Sequence, residues 1–282
     1  MSLEYQLKYH IENNYDSPVL KANYRLLVFP STTDSQKIMQ MDYVCSPQAE
    51  GYVSNNIYGF KTLNYRIDKP FVQFSFELNL SLEKKLVNPF DFVSLPAEEE
   101  FKWVNSMEAY MDHHLFLRQS NLTSIPIEAL DPFPKYTADI SIFEFLKVLN
   151  GYVHEFLDYT SHSTTTDTSV SDILNLKQGV CQDYAHLFIA VCRENKIPAR
   201  YISGYLDQGS NYIGSSQLHA WVEAFVPNAG WIGFDPTNNL LIDHHYVIIA
   251  HGIDYNDCSP IIGVLEYSGK QKSVHSVSIS NQ

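Results

Sequence analysis

An alternation of apolar and polar side chains that gives way to helical spacing near residue 96 limits this chain more than any other feature. Tyr5, Leu7, Tyr9 and Ile11 interleave with Gln6, Lys8, His10 and Glu12, the period of two that turns one face of a strand into a core. Residues 72–80 repeat the pattern, and residues 23–30 are another strand candidate followed by a polar turn at 31–35. Short strands broken by Pro, Asn and Gly predict a small sandwich. Beyond Pro96 the period changes. Phe101, Val104, Glu108 and Met111 fall on one stripe of a helix over 98–111. Ile142, Phe145, Leu146, Leu149, Val153 and Phe156 do so over 139–156, with Asp139 or Ser141 as cap. A third helix opens at Cys181, carries Tyr184, Ala185, Phe188, Val191 and Cys192 on one face, and must stop before Pro198. Strands follow at 201–206, 219–225 and 231–235. The spacing therefore predicts a β-rich unit over residues 1–92 and an α+β unit over 93–282. Residues 273–280, with Val274, Val277 and Ile279, can add a strand to either. The Ser/Thr-rich stretch 161–171 reads as a surface connector.

The bulk properties narrow the classes of function. A net charge of −13 over 282 residues argues against binding a phosphate backbone, which needs a basic face; it reads as a solvated acidic surface. No apolar run approaches the roughly 18 residues that span a bilayer, and the first twelve residues lack the pattern of a signal peptide. The four cysteines, Cys45, Cys181, Cys192 and Cys258, form no Cys-x-x-Cys pair, so separate thiols in a reduced, cytoplasmic protein are expected. His113-His114 and His244-His245 invite a metal reading. Adjacent histidines usually point different ways, however, and Asp243 and Cys258 show no ligand spacing, so neither metal nor cofactor is expected. Glu98, Glu99 and Glu100 read as an acidic helix N-terminus.

Three residues on successive elements carry chemistry. Cys181 stands where a turn passes into a helix, His219 begins a strand, and Asp235 ends another. A thiol, an imidazole and a carboxylate are the parts of a nucleophile, a base and an orienter. An unpaired Cys beside a helix is more often core packing, and Cys192 on the apolar stripe reads so. At Cys181, Gly179 permits close backbone approach, and the free N–H groups of the helix start favour a thiolate. The helix dipole supplies about 0.3–1 kcal/mol, whereas lowering a thiol pKa by about 2.5 units takes about 3.4 kcal/mol. A second cation is needed, and His219 is the candidate. His186 lies five residues on, about 140° round the helix, and reads as a core or capped histidine. Asp183 in the first turn reads as a capping carboxylate.

Four blocks resemble bacterial transglutaminase-like proteins, a family whose members are commonly assigned as cysteine proteases. They are Gly179-Val180-Cys181-Gln182-Asp183-Tyr184-Ala185-His186-Leu187, Ile197-Pro198-Ala199-Arg200-Tyr201-Ile202-Ser203-Gly204-Tyr205-Leu206, His219-Ala220-Trp221-Val222-Glu223, and Gly230-Trp231-Ile232-Gly233-Phe234-Asp235-Pro236-Thr237-Asn238. The resemblance spans roughly residues 140–265, and the N-terminal stretch is similar to the β domain that precedes this core. The papain-type block Cys-Gly-Ser-Cys-Trp is absent, so papain itself is a poorer match.

The resemblance implies a papain-like transglutaminase core, with a helix bearing Cys packed on an antiparallel sheet. It also implies a triad of Cys181, His219 and Asp235, and a peptide or protein amide as substrate. The family's Gly-Arg-Asp-Tyr block stands here as Gly252-Ile253-Asp254-Tyr255, which removes an Arg. The expected activity is thiol acyl transfer, with the Cys181 backbone N–H as first oxyanion donor; the alternative is a binding or scaffold protein that keeps the fold. One geometric condition follows. His219 and Asp235 share a sheet face only if opposed residues have an even sum. A four-residue loop closing Val226 on Trp231 fails that condition, so a longer connection over roughly 224–230, or a bulge near Pro227, is expected.

Overall fold

The computed structural model describes residues 2–207, 212–215 and 217–281. The N-terminal strands are β1 (Ser2–Val19), β2 (Lys21–Leu26), β3 (Gln36–Ser46), β4 (Glu50–Asn55), β5 (Lys61–Ile67) and β6 (Phe71–Lys85). Then come α1 (Ala97–Val104), α2 (Met107–Leu117), α3 (Ile142–Phe156), β7 (Asp158–Tyr159), α4 (Val170–Leu176), β8 (Gln178–Gly179) and α5 (Cys181–Glu194). The chain finishes with β9 (Ala199–Leu206), β10 (His219–Val226), β11 (Gly230–Asp235), β12 (Leu240–Leu241), β13 (Tyr246–Gly252), α6 (Tyr255–Cys258), β14 (Ile261–Glu266) and β15 (Gln271–Asn281). No helix among the described residues is long and apolar enough to cross a membrane.

Two four-stranded antiparallel sheets, ordered β15-β1-β6-β3 and β14-β2-β5-β4, make the sandwich. Alternation explains it: Tyr5, Leu7, Tyr9 and Ile11 are buried on one face of β1 while Gln6 and Lys8 face solvent. The sheets meet through aromatic rings, with Tyr24 of β2 stacked on Phe74 of β6 at 4.0 Å between centroids. The division at residue 92 needs correction at its C-terminal end. No residue from 85 to 99 is buried, but β14 and β15 return to pair with β2 and β1. Residues 261–281 thus lie in the sandwich. Their apolar residues complete the inward faces of sheets that the first 92 residues leave one strand short.

The second layer system is a five-stranded antiparallel sheet, β12-β11-β10-β9-β13, with α5 packed on β10. Apolar residues surround α5, and Ala185, Leu187, Phe188, Ile189, Ala190, Val191 and Cys192 are all fully buried. The two units share an interface in which Tyr9 packs on Tyr205 and the Tyr205 hydroxyl donates to the Val28 carbonyl at 2.9 Å. The helix expected over 98–111 is two helices. Asn105 caps the end of the first and Ser106 the start of the second, its Oγ accepting from Ala109 N at 3.1 Å. Glu98, Glu99 and Glu100 lie in the first turn of α1 as expected, and Glu100 is in addition buried and accepts from Ile142 N at 2.6 Å, so it also caps α3 from a distance.

Candidate active site

Cys181 is the first residue of α5. The turn before it is closed by Asp183, whose carboxylate accepts from Val180 N at 2.7 Å and from the Thr164 hydroxyl at 2.5 Å. Burial pushes the Asp183 pKa up, and these two donors oppose that rise. Gly179 is required here, since a Cβ would lie 2.6 Å from Asp183 Cβ. Among the described residues no protein acceptor takes the N–H of Cys181 or of Gln182, as the geometry of a helix start dictates. The Ser/Thr-rich connector is tied to this turn through Thr164 and through Gln182 Nε2, which reaches the Thr166 carbonyl at 3.4 Å.

His219 and Asp235 sit on neighbouring strands and meet. His219 Nε2 lies 2.7 Å from Asp235 Oδ2, with both side chains fully buried. The same carboxylate accepts from Asn238 Nδ2 at 2.8 Å, the Tyr246 hydroxyl at 2.9 Å, Thr237 N at 3.0 Å and Asn238 N at 3.2 Å. Burial alone would raise its pKa; His219 and these donors more than reverse that and hold it below the usual carboxylate range. For His219 burial works against the charged form, but the adjoining Asp235 carboxylate and then the Cys181 thiol outweigh it, raising the pKa to about 10. The other ring nitrogen, Nδ1, has no hydrogen-bond partner of normal geometry among the described residues. It is covered by Gly214, where a Cβ would come within 2.4 Å of it.

The hairpin satisfies parity differently from expectation. Val226 pairs with Gly230 and Val222 with Phe234, an even sum of 456 reached with a three-residue loop. The expected longer connection or bulge is absent from this ladder. Pro227 is in the loop, where its missing N–H costs nothing, and Asn228 adopts the left-handed conformation (φ 64°) that closes so tight a turn. Continued by one pair, the register sets Trp221 opposite Asp235 and makes His219 its diagonal neighbour.

Cys181 and His219 line one cleft of about 540 Å³ together with Gln182, Tyr201, Tyr255 and His275. A larger concavity of about 1030 Å³ lies over β4 and β5 and contains none of these groups. Tyr246 and Asn238 were not singled out from the sequence, nor was the wall that β15 contributes. Asn238 also clasps the 212–215 turn, giving and receiving one bond each with Ile213 at 3.0 Å. His186 is away from the thiol chemistry, buried, and accepts from Tyr255 N at 3.2 Å. Where the family's Arg is replaced by Ile253, the buried Arg193 of α5 donates to the Ile253 carbonyl at 2.7 Å. Asp243, His244 and His245 bring ligand atoms within 4.8 Å of one another, and the two rings lie 4.1 Å apart. These adjacent histidines therefore converge, because both turn toward the Asp243 carboxylate.

Comparison with known proteins agrees with this architecture. Residues 135–236 match the family model of the Transglutaminase-like superfamily, and the chain carries a transglutaminase-like domain. An uncharacterised Mycobacterium bovis protein is 28% identical over 290 residues, covering 98% of this chain and 91% of that protein. A protein-glutamine gamma-glutamyltransferase of Pseudomonas aeruginosa is 37% identical over 98 residues, 32% of this chain and 15% of that protein. The crystal structure of a proposed cysteine protease from Cytophaga hutchinsonii superimposes with a TM-score of 0.79 at 23% identity, over 100% of this chain and 91% of that one. The shared fold includes the N-terminal sandwich.

Proposed function

We propose that this protein is a thiol-dependent acyl-transfer enzyme acting on peptide or amide bonds. The observation that carries the reading is the buried His219–Asp235 contact of 2.7 Å behind a cleft that His219 lines together with Cys181. In this reading His219 takes the Cys181 proton as the sulfur attacks the amide carbonyl, and the carbonyl π electrons move onto the oxygen, which the free N–H of Cys181 receives. His219 then delivers its proton to the departing amine as the C–N bond breaks, leaving a thioester. An acceptor attacks the thioester while His219 takes its proton, and the sulfur leaves. Asp235 holds the ring in place and stabilises its charge.

Water as acceptor gives hydrolysis; an amine gives transamidation. We favour hydrolysis, because excluding water demands a dedicated acceptor site. The test is alkylation with iodoacetamide near neutral pH followed by peptide mapping. Cys181 is expected to react at least ten times faster than Cys45, whose thiol burial pushes up to about 12. Equal rates would sink the reading in favour of a scaffold that has kept the fold. A screen of peptides with water or amine acceptors, with Cys181→Ala as control, then separates the two reactions.

A further inference from the structure

β15 is one wall of the Cys181 cleft and also an outer strand of its sheet. Its inner edge pairs with β1 without interruption, from Tyr5 opposite Asn281 to Tyr15 opposite Gln271. Among the described residues nothing other than β1 hydrogen-bonds to its backbone between Ser273 and Ser280. Exposed edges are ordinarily blunted by charge, proline or a bulge. Apart from Lys272 at its start, this one has none of them: residues 273–281 read Ser-Val-His-Ser-Val-Ser-Ile-Ser-Asn, and the register against β1 is regular. Successive side chains leave a strand on opposite faces. Ser273, Val274 and His275 nevertheless all line the cleft, so the cleft meets the strand along its edge. The strand is firmly seated, with Val277 buried and His275 Nδ1 3.0 Å from the Tyr9 hydroxyl.

We propose that an extended peptide substrate adds as a further strand to the free edge of β15, which leads its acyl carbon across the shared cleft to Cys181. Strand addition draws affinity from main-chain bonds and selectivity from pockets for alternate side chains, and the exposed small residues Ser276, Ser278 and Ser280 leave the new strand room. The proposal rests on the acyl-transfer reading. A second copy of the chain is the rival occupant; the cleft favours a peptide, because pairing of two β15 edges would close over the nucleophile of each.

The test compares alkylation of Cys181 by iodoacetamide with alkylation by the peptide reagent Ac-Ala-Val-Ala-Val-Ala-Gly chloromethyl ketone. N–H groups alternate in direction along an outer strand. Of Ser273→Pro and Val274→Pro, one therefore removes an outward donor and leaves the melting temperature intact. In that variant the peptide rate is expected to fall at least 10-fold with the iodoacetamide rate unchanged, and an unchanged peptide rate overturns the proposal. Should both variants unfold, N-methylation along the reagent decides with the unmodified protein. Losses of 10-fold at alternate positions support the added strand, and a flat profile overturns it. If Cys181 proves inert to iodoacetamide, the acyl-transfer reading fails on its own. Fluorescence anisotropy of the labelled peptide, with and without the proline, then judges the edge: binding lost with the proline supports it, and absent or unaffected binding overturns it. A dimer that the proline abolishes assigns the edge to a second copy and overturns it too.

Discussion

His186 in the middle of α5 and His219 at the start of β10 are both buried, yet their surroundings drive them in opposite directions. Burial and the nearby Arg193 push His186 down to about 3; its Nε2 accepts a backbone N–H and has no use for a charge. His219 suffers the same burial and is carried to about 10 by Asp235 and Cys181. The interior alone makes a histidine neutral, and only a carboxylate in contact makes it a cation. The second environment is the one the proposed thiol chemistry requires, while the first is part of the scaffold that seats α5 against α6.

The strongest way to break this contrast is to remove the groups themselves. Cys181→Ser and His219→Ala are each expected to reduce turnover about 10⁴-fold or more, to the background of the assay, with the fold retained by circular dichroism. Asp235→Asn is expected to keep a remnant of activity, about 10³–10⁴-fold down, because an amide can hold the ring without stabilising its charge. In that variant the His219 pKa, followed by NMR, should fall towards the range of His186. Equal loss in all three with a common drop in melting temperature would mark the cluster as structural.

The next effect is on stability and separates the two histidines by sign. A group whose folded pKa lies below its unfolded value of about 6.5 favours folding above that value and loses its contribution as pH falls. His186 therefore weakens the fold progressively from about pH 6.5 to 3, with His251, also pushed to about 3 by burial and Arg200. His219 is raised, so its contribution is complete below about 6.5 and disappears as pH climbs through about 10. Denaturant melts across pH should show both limbs. His186→Gln, which retains an acceptor for Tyr255 N, should flatten the acid limb by an amount on the order of a few kcal/mol; an unchanged limb would count against the burial argument.

Local chemistry was legible in the sequence; long-range pairing was not. Cys181 at a helix start, the capping role of Asp183, and the core positions of His186 and Cys192 follow from neighbours within a few residues. The strands of the sandwich follow from alternation. By contrast, nothing near residues 261–281 announces that they will pair with residues 5–26, because a strand's partner is set by the whole sheet. The hairpin shows the limit well. Parity correctly demands an even sum, but neither expected way of meeting it, a longer connection over roughly 224–230 or a bulge near Pro227, is needed, because a left-handed Asn228 allows a three-residue loop. Tyr246 belongs to a strand on the far side of β9 from β10, so no pattern local to Asp235 could have pointed to it.

Tyr246 gives the smallest and most discriminating test. Its hydroxyl is one of three side-chain donors to Asp235 Oδ2 and lies 2.9 Å away, fully buried. Tyr246→Phe removes that single bond and leaves the ring that packs edge-on against Trp221 at 5.3 Å. A hydrogen bond to a charged group contributes about 1.5–3 kcal/mol, so stability should fall by about that amount. With one fewer donor the carboxylate becomes more basic and shares the His219 proton more strongly, so the His219 pKa should move less than in Asp235→Asn. Activity should fall about 10-fold, a scale set by the same bond energy, and the alkaline limb should stay in place. A variant as inactive as Asp235→Asn would show that Tyr246 does more than orient the carboxylate. A variant with unchanged activity and stability would show that the remaining four donors suffice.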